Sequence, residues 1–143
     1  MNNSINIAIA GATGYVGIQL LKILIKHPKA KIVYLCAKKS IGKKIKSFDK
    51  TIKNKLPKIT NVSKINWNKI NVIFTALPDG EAQKIASKIP KNIKLIDLSG
   101  DFRLNDHNQY KKWYGINFYN KGLINKSLYS ITEFSKKLIK NKK

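Results

Sequence analysis

The sequence predicts an α/β fold built on a parallel sheet, and three observations carry that prediction. An apolar run of β-formers, Ile5 to Ala10, leads straight into a loop with glycine at positions 11, 14 and 17. A helical pattern follows, with Val16, Leu20, Ile23 and Leu24 on one face and Gln19, Lys22 and Lys26 on the other. Further short apolar runs at 31–37, 72–76 and 93–96 are interleaved with helical stretches. Such alternation marks a parallel, doubly wound sheet, because parallel strands need a crossover between them. At 143 residues the chain has the length of one domain with a real core.

The first turn, G-A-T-G-Y-V-G, gives each glycine a task. Gly11 lets the chain turn sharply off the strand. Gly14 lets a pyrophosphate approach bare backbone at the positive end of the helix, and Gly17 lets the helix pack close to the strand. The spacing is G-x-x-G-x-x-G rather than the commoner G-x-G-x-x-G, and the alternative reading is a tight turn without a ligand. His27-Pro28 closes the helical pattern, since the residue before proline is pushed out of the helical region. His27 reads as a helix-end residue, with no metal-type partner at useful spacing.

Residues 31–37 read as the second buried strand. A site for NAD usually places an acid at the end of this strand to hold the ribose 2′-hydroxyl. Here the end reads Cys36-Ala37-Lys38-Lys39-Ser40, and the first acid of the chain is Asp49. Two ammonium groups and a hydroxyl suit a 2′-phosphate, which favours NADP; the alternative is that these lysines share a chain-wide bias. Cys36 reads as a packed, inert thiol because a reactive one wants an open, electropositive setting with a base nearby. Residues 41–70 suggest a short helix and one weak strand, with Trp67 as a core anchor. Val72 to Ala76 reads as a fully buried strand, with Pro78-Asp79-Gly80 turning at its carboxyl end, where parallel sheets bind ligands. A helix is expected through Ala82, Ile85, Ala86 and Ile89, stopped by Pro90, and Ile93–Ile96 reads as another buried strand. The segment D-L-S-G-D-F-R-L at 97–104 then gathers Asp97, Asp101 and Arg103, with Asp106 just beyond. Two readings stand for it: substrate handling, or a structural network in which Arg103 pairs with Asp101 or Glu133.

Composition narrows the function. The net charge is +22, yet among 29 lysine and arginine residues Arg103 is the single arginine, and lysines are spread over every segment. Phosphate-reading surfaces concentrate their charge and favour the arginine fork, and no zinc-finger spacing or RNA-binding aromatic motif occurs, so specific nucleic-acid binding is not expected. A lone arginine in such a chain hints at a geometry lysine cannot supply, a fork on carboxylate or phosphate. Glycines, Gln19 and Lys22 interrupt the apolar stretch 5–25, so no membrane span is expected, and the start carries no basic signal-peptide region. One cysteine excludes an intramolecular disulfide framework and fits the cytoplasm.

These pieces in this order resemble the N-acetyl-gamma-glutamyl-phosphate reductases. The resemblance runs through G-A-T-G-Y-V-G at 11–17, K-H-P at 26–28, A-L-P-D-G at 76–80 and D-L-S-G-D-F-R-L at 97–104. It continues in Y-K-K-W-Y-G at 110–115 and L-Y-S-I-T-E-F at 128–134, and is weakest across 41–70. It implies a Rossmann-like NAD(P)-binding domain of semialdehyde-dehydrogenase type over residues 1–143, its sheet incomplete at the C-terminal end. The implied activity is NADPH-dependent reduction of N-acetyl-glutamyl phosphate to the semialdehyde in arginine biosynthesis, through a cysteine thioester. Carried over residue by residue, Gly11, Thr13, Gly14, Tyr15 and Val16 go to the pyrophosphate loop. Ser40 with Lys38 or Lys39 goes to the 2′-phosphate, Leu77, Pro78 and Gly80 flank the dinucleotide, and Arg103 goes to the substrate side. The resemblance implies that the family's nucleophilic cysteine, its histidine and the dimer-forming domain are expected beyond Lys143. The chain is therefore expected to be inactive alone, to bind no metal, and to need a C-terminal partner chain or the homo-oligomer of a complete enzyme. Other classes stay open: a non-catalytic NADP-binding module, a gene remnant and a basic nucleic-acid binder. Catalysis of the short-chain-dehydrogenase type is excluded, since the one Tyr-x-x-x-Lys spacing, Tyr34 to Lys38, falls on a strand.

Overall fold

The computed structural model describes residues 4–118 and 121–140. The chain forms two compact units, Met1–Leu77 with Ile93–Leu98, and Pro78–Asn92 with Ser99–Lys143.

The first unit is a five-stranded parallel sheet. Its strands are β1 (Ile5–Ala10), β2 (Ala30–Cys36), β3 (Ile59–Thr60), β4 (Val72–Thr75) and β5 (Lys94–Asp97), in the order β3-β2-β1-β4-β5. The chain steps outward from β1 through β2 to β3, then returns to lay β4 on the other side of β1. That reversal is a topological switch point, the place where open parallel sheets bind ligands beyond their strand ends. This is the Rossmann-like arrangement the sequence predicts. β1 is central and nearly sealed, Ile7 to Ala10 all being buried. Ile9 and Leu35 pack with Leu21 and Leu24 of α1 (Tyr15–Leu24) and with Ile45, Ile52 and Ile59.

The buried face of α1 is Gly17, Leu21 and Leu24, whereas Val16 and Ile23 are exposed. The expected face through Val16, Leu20, Ile23 and Leu24 is thus rotated. The cause is Gly17, where the missing side chain lets the helix backbone press onto Gly11 and Ala12. Lys22 reaches from the helix to Asp49 at 2.6 Å. That pairing, with hydrogen bonds from Thr51, holds the Asp49 carboxyl down at about 2.

Four further expectations are corrected. The 41–70 region contains 3₁₀ turns at Ile45–Ser47, Val62–Lys64 and Trp67–Lys69 in place of the expected short helix. Asn61 and Asn66 side chains accept backbone N–H bonds at the start of the last two, a local geometry that competes with a continuing helix. Trp67 is half-buried. β4 alternates half-buried with buried positions rather than being sealed throughout, and β5 exposes Lys94 and Ile96. Among the described residues β5 is an edge strand with one strand neighbour, β4.

The second unit holds α2 (Glu81–Ala86), α3 (His107–Tyr114), α4 (Lys121–Ile124) and α5 (Thr132–Lys140). α2 ends earlier than the periodicity suggests, closing at Ser87. α3 starts where the Asp106 carboxylate accepts the Gln109 N–H at 2.8 Å and ends at Gly115, whose φ of 71° suits a helix-terminating glycine. Tyr110, Phe118 and Ile124 form its core, the Tyr110 ring stacked on Tyr114 with centroids 4.7 Å apart.

Candidate functional site

The carboxyl ends of β1, β2 and β4 meet at Gly11. Gly11 has φ +86°, and a Cβ there would lie on the Ala76 carbonyl, with the Leu77 side chain 3.3 Å away. The Cys36 carbonyl accepts from both Gly11 N–H at 2.9 Å and Ala12 N–H at 3.1 Å, and Ala76 N–H donates to Ala10 O at 2.9 Å. The loop after β1 is therefore bolted to the ends of both flanking strands. The Cys36 and Ala76 carbonyls were not singled out in the sequence, because a backbone acceptor leaves no side-chain signature.

Gly17 is glycine because a Cβ would strike the Gly11 carbonyl. Gly14 is different. Its φ of −78° is open to any residue, and the nearest atom to a Cβ there would be Gly11 O at 3.4 Å, an ordinary contact. It is the N-cap of α1, which has no side-chain cap and no acid in its first turn. The first-turn N–H groups of a helix lack intrahelical partners and carry the positive end of its dipole, so this corner suits an anion. Thr13 is half-buried beside it, while Tyr15 and Val16 are exposed.

Beyond β2, Lys38 and Lys39 are exposed and carry positive charge two and three residues from the carbonyl that anchors the loop. Ser40 follows at φ +66°, the single non-glycine residue with positive φ among the described residues. That left-handed turn redirects the chain so that Gly42 N–H reaches Ile59 O at 2.7 Å. Cys36 is fully buried, and burial pushes its thiol up to about 12, as an inert core cysteine requires. His27 is exposed, its Nδ1 accepting from the Lys29 N–H at 3.2 Å. The structure thus brings Gly11, Thr13, Gly14, Tyr15, Val16, Lys38, Lys39, Ser40 and Leu77 to one edge of the first unit.

Pro78, Gly80 and Arg103 belong to the second unit. There the Gly80 and Gln83 N–H groups donate to the two oxygens of Asp101, and the Tyr110 hydroxyl donates to Asp101 at 2.7 Å. Gln83 Nε2 donates in turn to the Tyr110 hydroxyl at 3.0 Å, and Gly100 N–H donates to Asp79 at 3.1 Å. Asp101, Gln83 and Tyr110 are all fully buried, and that burial beside the carboxylate raises the Tyr110 hydroxyl well above its usual range. This clasp was missed at the sequence level, its parts lying 9 to 27 residues apart.

The clasp corrects the expected pairing of Arg103. Asp101 already accepts from three donors, and among the described residues Arg103 makes no ion pair with Asp101 or Glu133. Its guanidinium lies over the Tyr129 ring, 5.6 Å from the centroid. The acids of the 97–106 segment are likewise committed to structure: Asp97 accepts from Thr75 Oγ1 at 2.7 Å, and Asp106 caps α3. Among the described residues no helix is long and apolar enough to cross a membrane.

The chain matches a family model described as semialdehyde dehydrogenase, NAD binding domain, over residues 6–142. It is 43% identical over 136 residues to an N-acetyl-gamma-glutamyl-phosphate reductase from Ehrlichia ruminantium, which covers 93% of this chain and 39% of that protein. A Paracoccus denitrificans protein of the same name is 37% identical over 131 residues, covering 89% of this chain and 37% of the relative. The chain therefore spans about two fifths of the length of the curated relatives it matches. Among solved structures, Candida albicans aspartate semialdehyde dehydrogenase with NADP shares the fold at a TM-score of 0.53, with 24% identity, over 73% of this chain and 32% of that one.

Proposed function

The chain belongs to the family of semialdehyde dehydrogenase NAD-binding domains, and on that premise we propose that it is the NADP-binding part of an N-acetyl-gamma-glutamyl-phosphate reductase. The observation that carries this reading is Gly14, a glycine that neither its backbone angles nor its protein neighbours require. A helix N-cap kept bare in this way suits a pyrophosphate laid against backbone N–H groups.

In this reading Gly11, Thr13, Gly14, Tyr15 and Val16 cradle the pyrophosphate. Lys38, Lys39 and the hydroxyl of Ser40 hold the 2′-phosphate, and the missing acid after β2 removes the usual recognition of NAD. Leu77, Pro78 and Gly80 flank the dinucleotide, and Arg103 serves the substrate side. A bound reduced nicotinamide supplies the hydride that converts an acyl group to an aldehyde. The chain's own residues hold and orient the dinucleotide. Cys36 is the one cysteine of the sequence, and it is buried and held as a thiol. N-acetyl-glutamyl phosphate would be reduced in the cytoplasm, with buried Cys36 left outside the chemistry.

Fluorescence titration tests the assignment. NADPH is expected to bind at least tenfold more tightly than NADH, and the double variant Lys38→Gln/Lys39→Gln to erase most of that preference. Equal affinity for the two cofactors would overturn the NADP assignment, and binding of neither would overturn the dinucleotide reading itself.

A further inference from the structure

We propose that Asp79 is a positioning residue for the dinucleotide, acting through a reciprocal exchange of carboxylates between two loops of the second unit. This rests on the reading above, which sets Pro78 and Gly80 on the flank of the cofactor. One loop carries Asp79-Gly80 and the other Gly100-Asp101, the same two residue types in opposite order. Asp79 Oδ1 accepts from the Gly100 N–H at 3.1 Å, and Asp101 Oδ1 accepts from the Gly80 N–H. Each loop thus supplies the acceptor for the other's glycine. The 99–101 side is fixed from behind. Asp101 takes the Tyr110 hydroxyl, and its own N–H donates to Ser99 Oγ at 3.1 Å. Gly100 is buried so close to Tyr114 that a Cβ there would strike the ring. The 78–80 side has the opposite character: Pro78 and Asp79 are exposed, and Gly80 stands at φ +85°, one of several conformations open to a glycine.

Two features make this more than a fastening inside the unit. The turn follows β4 after Ala76 and Leu77, and loops beyond the carboxyl ends of parallel strands are where such sheets hold ligands. A glycine turn left to itself samples many shapes, and a ligand that needs one of them bears the cost of ordering it. Fixing the turn in advance removes that cost. The second feature is electrostatic. An exposed carboxylate on the flank of an anionic cofactor is unfavourable in charge alone, and the chain has seven acids against 29 lysine and arginine residues. What a carboxylate does well at this position is accept from a buried N–H, since hydrogen bonds to an ionised acceptor are the strong ones.

Asp101 is buried and its removal threatens the fold, so the test is made at exposed Asp79, on the full 143-residue chain. Two ligands are titrated by calorimetry, NADPH and adenosine 2′,5′-bisphosphate. The bisphosphate carries the phosphates assigned to the Gly14 corner and to Lys38, Lys39 and Ser40, but has no nicotinamide half to meet the turn. Asp79→Ala is expected to weaken NADPH binding by about fivefold or more, while the bisphosphate stays within about twofold of wild type. Asp79→Asn loses the charge but keeps a carbonyl acceptor, and is expected to bind both ligands like wild type. A purely electrostatic role predicts alanine and asparagine variants alike, each binding NADPH as tightly as wild type or tighter, and that result would overturn the proposal. So would parallel weakening of both ligands in Asp79→Ala, the mark of a structural role, or an asparagine variant as weak as the alanine one. Wild type that bound neither ligand would sink the dinucleotide reading and the positioning role with it. Binding of both ligands, unaltered in Asp79→Ala, would sink the positioning role alone.

Discussion

Gly14 and Gly17 sit three residues apart in one loop and are glycine for opposite reasons. At Gly17 the demand is internal, because a methyl group would strike the Gly11 carbonyl and push α1 off the strand end. Overpacking of this kind costs about 1–3 kcal/mol. At Gly14 nothing in the protein objects to a methyl group beyond the poorer helix N-cap that alanine makes, worth about 0.5–1 kcal/mol. The two substitutions should therefore separate stability from binding. Gly17→Ala is expected to lower the thermal midpoint clearly, with residual folded protein still binding NADPH. Gly14→Ala should unfold close to wild type yet lose at least tenfold in NADPH affinity, as read by fluorescence titration and thermal melts. If Gly14→Ala bound cofactor like wild type, the anion cradle would have to lie elsewhere.

The connection that holds α2 to the start of α3 is a set of side-chain bonds around one buried carboxylate. Asp101 takes the Gly80 and Gln83 N–H groups, which lie at the open N-terminal end of α2, and the Tyr110 hydroxyl from α3. Removing it leaves the buried Gln83 and Tyr110 donors and the half-buried Gly80 N–H without an acceptor, at about 1–3 kcal/mol for each buried one. Asp101→Ala should thus destabilise by about 3 kcal/mol or more and strip hydrogen-exchange protection from the Gly80 and Gln83 amides. Asp106→Ala removes an exposed N-cap and should cost about 1 kcal/mol; equal losses for the two variants would deny the clasp its role. The same elements mark what could be read from sequence. β1, β2 and β4 were legible as strands because short apolar runs mark them, though β2 is buried only at Leu35 and Cys36 and β4 only at alternate positions, and the glycine loop because its constraints are local. The 41–70 region was not, since asparagine side chains there bond their own backbone and break the periodicity into single 3₁₀ turns. Asp101 was legible as a residue but not as a partner. Its proximity to Arg103 in sequence suggested an ion pair, whereas its donors come from other elements of the fold.

At the scale of the whole molecule the governing quantity is charge. Seven acids face 29 lysine and arginine residues, so most cations have no carboxylate available to them. Lys22–Asp49 and Lys84–Glu81 are the kind of pair that can form, and such surface pairs contribute about 0.2–1 kcal/mol each. Against them stands repulsion among the remaining cations, which favours the expanded chain over the compact one. Both effects are screened by salt, and the sign of the response reveals which is larger. Raising NaCl from about 0.01 M to about 0.15 M shortens the screening length from roughly 30 Å to roughly 8 Å. The excess of repulsive over attractive pairs predicts that the thermal midpoint rises by several degrees across that range, measured by circular dichroism at pH 7. A chain stabilised mainly by its ion pairs would move the other way. A falling midpoint would mean that the lysines are arranged around their few acids far more favourably than their even spread along the sequence implies.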